Sequence, residues 1–222
     1  FPTRRSSDLM GSSGAGKSTL LNIISTMDLP SSGDIYINGK NTIKMKQNEL
    51  ADFRRDNLGF VFQDSNLLDT LTIKENIMLP LSLKNERVSV IENRIKEISK
   101  ELNIESILDK YPGEVSGGQK QRLSIARAIV RKPDIYIFDD SFSALDFKTD
   151  AILRKELRSE TKDAIVLIVA QRIGSIMDAD KIIVLNEGEV VGIGTHKELI
   201  KNCPIYHEIA TSQLTEEELA NE

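Results

Sequence analysis

The sequence predicts an α/β fold built on a mainly parallel sheet, and three stretches carry that prediction. Residues 11–19 read GSSGAGKST, with Gly11, Gly16, Lys17 and Ser18 at the spacing of a phosphate-cradling loop that opens a helix. Residues 135–140 read IYIFDD, four apolar residues running into two acids. That is the pattern of a strand buried on both faces that delivers a carboxylate to its C-terminal edge, where open α/β sheets bind ligands. Ile91, Ile95, Ile98 and Leu102 recur at helical spacing, so an amphipathic helix packs its apolar stripe into the core.

At 222 residues the chain is long enough to bury a real core in one domain, with room for a subdomain. A hydrophobic content of 40% and a charged content of 28% describe a globular protein. A net charge of -5 argues against a broad nucleic-acid-binding surface. The single cysteine, Cys203, excludes an internal disulfide and fits a reducing compartment. The longest apolar stretches, such as 165–170, are too short to span a bilayer, and any membrane role is expected to run through a partner.

Taken in order, residues 1–9 (FPTRRSSDL) lack apolar periodicity, although a phosphate loop is normally carried by a buried strand. They read as the in-frame translation of a common sequencing adapter and are expected to be a non-native scar, with only Leu9 and Met10 left for that strand. In the loop, Gly11, Ser12, Ser13, Gly14, Ala15, Gly16, Lys17, Ser18 and Thr19 are the nucleotide-binding candidates. Glycines let backbone N–H groups turn onto a triphosphate, Lys17 neutralises it, and Ser18 offers its hydroxyl to a magnesium ion. Leu20, Leu21, Ile23 and Ile24 suit a following helix whose positive N-terminus faces the same phosphates.

Residues 35–37 and a turn at Asn38-Gly39 read as a hairpin, 48–55 as a helix, and 58–62 as a strand ending at Gln63. Thr72 with Glu75, Ser89 with Glu92, and Thr195 with Glu198 each fit a capping box. The last places His196 in a first helical turn rather than on a metal. Asp139 is the expected metal-binding carboxylate. Two further buried strands follow at 165–169 and 181–185, then a turn at 186–188 and a strand through Val190 and Val191. Residues 214–222 form a short acidic tail.

Between the two nucleotide motifs lies VSGGQKQR, residues 115–122, followed by a helical pattern. A Ser-Gly-Gly sequence opening a helix presents a hydroxyl, free N–H groups and a positive dipole end, a second anion site in the same chain. Here the sequence resembles the ATP-binding cassette family over residues 10–213. VSGGQ is similar to its signature motif, Gln63 to its Q-loop, and Ser143, Ala144, Leu145 and Asp146 to its D-loop.

The resemblance implies a P-loop NTPase (RecA-like) core near 10–63 and 124–200, N-terminally truncated, with an inserted α-helical subdomain near 64–123. It implies ATP and Mg2+ as cofactors, with Ser18, Gln63 and Asp139 at the metal. It further implies that Ser116, Gly117, Gly118 and Gln119 complete the site of a second ATP-binding domain in a homo- or heterodimer. A transmembrane or permease partner would hold the chain on the cytoplasmic face of the cell membrane, and no nucleic acid is expected.

Two positions depart from the family pattern. Asp140 stands where the family carries a glutamate that activates water, and Gln171 stands where it carries a switch histidine. A carboxylate one methylene shorter reaches less far, and glutamine is neither acid nor base near neutral pH. With Gln63, these are the candidate catalytic residues, and the expected result is a site that binds ATP and turns it over slowly. Residues 10–115 resemble antimicrobial-peptide and lipoprotein export ATPase subunits, whereas 116–213 resemble the degenerate-site domain of heterodimeric multidrug exporters. That contrast points to a chimera joined in sequence assembly or to recombination. The alternatives to a bacterial export ATPase are a soluble cassette ATPase acting on nucleic acid or ribosomes, and a chimera without function.

Overall fold

The structure, a computed structural model, describes residues 5–62, 64–84, 86–141, 154, 157 and 160–214. In chain order, β1 (Arg5–Gly11) leads through the glycine-rich loop into α1 (Lys17–Ile24). A hairpin of β2 (Tyr36–Ile37) and β3 (Lys40–Asn41) follows, then α2 (Gln47–Asn57) and β4 (Leu58–Val61). Three helices come next, α3 (Ile73–Ser82), α4 (Val88–Glu101) and α5 (Gly117–Ile129). The remaining elements are β5 (Ile135–Asp139), β6 (Ile165–Val169), β7 (Lys181–Asn186), β8 (Glu189–Gly194), α6 (His196–Asn202) and α7 (Pro204–Gln213).

The main sheet has the order β4-β5-β6-β1-β7-β8, parallel except for β8, which pairs antiparallel with β7. Because side chains alternate along a strand, each strand feeds two cores. Tyr136, Phe138, Val166, Ile168 and Ile182 share one core with residues of α3, α4, α5 and α7, while Ile135, Ile137, Leu167 and Leu9 pack with Leu21 of α1 and Phe53 of α2. The result is a sheet covered by helices on both faces. The expected hairpin is present, with Asn38 at φ +49° and Gly39 at φ +73°, the two left-handed residues that a tight antiparallel turn requires.

The expected extent of the first strand needs correction. Arg5–Gly11 forms β1 at the centre of the sheet, in register Arg5↔Ile165 to Leu9↔Val169 with β6 and Ser7↔Lys181 to Gly11↔Leu185 with β7. The strand therefore holds more than Leu9 and Met10, and the loop it carries is anchored on both sides. Ladder hydrogen bonds are made by the backbone, so a polar sequence can occupy the slot when its buried side chains find partners. Ser6 does so: its N–H and Oγ donate to Asp180 Oδ2 at 2.9 and 3.1 Å, and its Oγ accepts from the Asp180 N–H at 3.2 Å.

A second correction concerns α4. The carbonyl of Arg87 accepts from the N–H groups of Val90 and Ile91, so the helix opens at Val88 and Ser89 lies inside the first turn, not at its cap. The Thr72–Glu75 and Thr195–Glu198 boxes are present as expected.

Ser6→Ala, which removes the Oγ bonds between β1 and Asp180, should lower the unfolding free energy by about 1 kcal/mol in chemical denaturation. An unchanged midpoint would mean that residues 5–8 do not occupy the central strand slot.

Candidate functional site

The site begins where β1 ends. A Cβ at Gly11 would lie 2.2 Å from the Leu185 carbonyl oxygen, so only glycine lets β1 stay paired with β7 while the chain turns out of the sheet. Gly16, at φ +95°, then caps the start of α1 in a backbone conformation that side-chain-bearing residues rarely adopt. The turn between β7 and β8 braces the loop from below, through the Gly188 N–H donating to the Ala15 carbonyl at 3.2 Å. Ala15 is buried, and its side chain packs into the core.

Lys17 folds its ammonium back into the loop. Its Nζ donates to the carbonyls of Gly11 at 2.8 Å and Ser12 at 2.7 Å. Burial lowers the Lys17 pKa from the ordinary lysine value, and the charges of Asp140 and Asp139 oppose that shift. A cation held in this way is stripped of part of its water and surrounded by weak acceptors, ready to exchange them for stronger ones.

The acids come from β5. Alternation puts Asp139 on the same side as Ile135 and Ile137, the face that α1 covers. Burial pushes the Asp139 carboxyl above the ordinary range, and Lys17 pulls against it. Asp140 follows at φ +45°, a left-handed conformation that aspartate tolerates better than most residues. Ser141 fixes this turn by donating from Oγ to the Val61 carbonyl at 2.9 Å, which ties the end of β5 to the end of β4. From the neighbouring β6, two residues past Val169, Gln171 donates from Nε2 to Asp140 Oδ2 at 2.5 Å. The two positions that depart from the family pattern are thus joined to each other.

These groups line a cleft of 680 Å³ at the C-terminal edge of the sheet. Gly11, Ser12, Ser13, Gly14, Gly16, Lys17, Ser18 and Thr19 form one wall, with Asp139, Asp140 and Gln171 opposite. Ser116, Gly117, Gly118 and Gln119 are not among the lining residues; they open α5 in a capping box, with the Gln119 N–H donating to Ser116 Oγ at 3.3 Å and the Ser116 N–H to Gln119 Oε1 at 2.8 Å. Ser116 and Gly117 are exposed there. Gln63 and the 143–146 segment lie outside the described residues. Sequence reasoning missed α7, whose Ile209, Ser212 and Gln213 also line the cleft. No local motif marks them; only the fold brings that helix back to the loop.

Among the described residues no group of three or more His, Cys, Asp or Glu gathers to hold a metal ion. His196 is instead buried against Tyr206, with Nδ1 and Oη 2.7 Å apart. A cation in the cleft would have the Asp139 and Asp140 carboxylates and the Ser18 hydroxyl to draw on, together with oxygens of its own ligand.

Because native Asp139 holds its proton more tightly than the unfolded chain does, its charged form subtracts stability, and that penalty fades as pH falls into its raised titration range. Asp139→Asn should therefore raise the Tm of the nucleotide-free chain at pH 7, with a gain that shrinks as pH is lowered toward 4. A lower Tm for the variant at pH 7 would show that the Lys17 attraction outweighs burial.

Comparison with known proteins agrees with this geometry. The family described as ABC transporter matches residues 3–143. The ABC transporter ATP-binding protein YxdL of Bacillus subtilis (strain 168) is 50% identical over 184 residues, covering 82% of this chain and 72% of that protein. The bacitracin export ATP-binding protein BceA of Halalkalibacterium halodurans is 42% identical over 184 residues, covering 82% and 73%. Among solved structures, the dimeric post-hydrolysis state of the ATP-binding cassette MJ0796 bound to ADP and Pi superposes with a TM-score of 0.80 at 36% identity, covering 86% of this chain and 84% of that one. Phosphate loop, strand-end carboxylates and overall fold thus lead to one conclusion: this chain belongs to the ATP-binding cassette family, as an ABC transporter ATP-binding domain.

Proposed function

We propose that this chain is the ATP-hydrolysing domain of a bacterial export transporter, that it closes with a second such domain around ATP, and that its own site turns over slowly. The observation that carries the reading is the convergence of Lys17, Asp139, Asp140 and Gln171 on one cleft with the phosphate loop. Export is favoured by the likeness to a bacitracin export protein.

In this reading the half-buried Lys17 exchanges the carbonyls of Gly11 and Ser12 for phosphate oxygens, which are stronger acceptors. Backbone N–H groups of residues 12–19 and the N-terminus of α1 orient the phosphate chain. Ser18 and Asp139, with Gln63, would hold Mg2+, which supplies charge neutralisation at the transferred phosphoryl group. The desolvated Asp139 carboxylate suits that ion, since binding a cation relieves the burial penalty. Asp140 serves as the base for water, and Gln171 as a hydrogen-bond donor to the terminal phosphate.

Slow turnover follows from the bond between those two residues. Asp140 accepts a hydrogen bond from Gln171, which occupies its Oδ2, and the Gln171 amide is engaged away from the phosphate. Each must release the other before either can act. Ser116, Gly117, Gly118 and Gln119, exposed or half-exposed and outside the lining of this cleft, are placed to complete the site of a second domain. A heterodimer with a faster partner site is the arrangement that uses both features.

Attachment to a permease on the cytoplasmic face of the cell membrane fits a second groove of 380 Å³, where Phe60, Leu79 and Leu83 lie beside Arg54, Arg55 and Arg127. Leu83 is 63% exposed. An apolar segment of a permease subunit with acidic flanks would match both the floor and the charge of this groove. No helix among the described residues is long and apolar enough to cross a membrane. The same reading divides the chain into a core near 10–63 and 124–200 with a helical subdomain near 64–123, where α3 packs against both α4 and α5.

Titration calorimetry with Mg-ATP tests the assignment. Lys17→Ala should weaken binding by about tenfold to a hundredfold, the range for losing a charged hydrogen-bond donor. Equal affinity in the variant would remove the nucleotide from this cleft.

A further inference from the structure

We infer that Gln213, at the end of α7, is a positioning residue that sets the Gln171 side chain within the nucleotide cleft, so that the C-terminal helix is a working part of the site. The inference rests on the reading that Gln171 acts at the phosphate end of the cleft.

The observation is a two-sided bond. Gln213 Oε1 accepts from the Ile173 N–H at 2.9 Å, and Gln213 Nε2 donates to the Gln171 carbonyl at 2.9 Å. A single side-chain amide thus brackets Arg172, meeting one donor and one acceptor of the backbone as a neighbouring strand would. The sheet itself no longer provides this support. β6 ends at Val169, and the Ala170 N–H makes the last bond to β1, donating to the Leu9 carbonyl at 3.1 Å. Beyond it, the Gln171 carbonyl accepts from Gln213 of α7.

The helix end is well placed to hold such a bond. Tyr206 and Ala210, one helical turn apart, are both fully buried, which fixes the rotation of α7 against the sheet. Gln213 lies three residues past Ala210, near the same face, and the Leu214 N–H closes the last turn on the Ala210 carbonyl at 2.8 Å. Ile209 and Ser212 meanwhile line the cleft directly. Gln171 is therefore held at both ends, by its carbonyl on Gln213 and by its side-chain amide on Asp140. Releasing the carbonyl frees the residue to swing, and the Gln171 amide loses its place opposite Asp140.

The test uses Gln213→Met, which keeps the length of the side chain and loses both bonds. Steady-state ATP hydrolysis should show kcat raised by about threefold to tenfold, the factor of about one hydrogen bond, because a loosened Gln171 releases Asp140, with KM for Mg-ATP unchanged. In a Gln171→Ala background the same substitution should have no effect on kcat. Independently of turnover, the side-chain amide resonance of Gln171 in the nucleotide-free chain should shift in Gln213→Met while the chain still melts cooperatively. A Gln171 resonance that does not move, or an equal kcat change in the Gln171→Ala background, would overturn the inference. A resonance that moves in a chain with no hydrolysis would uphold the positioning and refute the hydrolytic reading of the site.

Discussion

A half-buried ammonium organises this molecule. Lys17 is held among the carbonyls of its own loop, faces Asp139 and Asp140 across the cleft, and gives up solvation in return for weak neutral acceptors. Such an arrangement is tolerable in the free protein and better satisfied by phosphate, which is how a preorganised charge becomes binding energy. Everything nearby serves to keep that charge in place. Gly11 permits the close approach of loop and β7, the Asn186–Gly188 turn props the loop at Ala15, and Ser141 locks the turn that carries the acids.

The sheet is what brings these pieces together. In the order β5-β6-β1, the strand carrying Gln171 lies between the strand that ends in the acids and the strand that enters the phosphate loop, so three distant stretches meet at one edge. β1 holds this arrangement through backbone pairing on both sides although its side chains include the buried polar residues Ser6 and Asp8. Ser6 is accommodated by Asp180, a contact made across the whole length of the chain. The strand slot is therefore set by topology and tolerates side chains that packing alone would not choose.

Much of this could be read directly from residue patterns. Four apolar residues before Asp139 implied a buried parallel strand, Asn38-Gly39 implied a hairpin, and the stripe from Ile91 to Leu102 implied a buried helix face, because in each case local chemistry and final environment agree. Residues 5–8 were illegible because their strand is held by backbone groups that every sequence possesses. The start of α4 lies two residues before the expected one because Ser89 fits a cap pattern while the first helical bonds run to the Arg87 carbonyl. Gln213 escaped notice for a similar reason: its partners are main-chain atoms of Gln171 and Ile173, and those leave no trace in side-chain identity.

The bond between Gln171 and Asp140 makes two departures from the family pattern into one physical unit, and the account of a slow site stands on it. Single-turnover hydrolysis of Mg-ATP by Asp140→Glu, Gln171→His and the double variant measures that coupling most directly. The account predicts little recovery of rate in either single change and, in the double, more than the sum of the two, because a longer base still needs the partner that frees it and holds the phosphate. Strictly additive rates, or full recovery from Asp140→Glu alone, would contradict it.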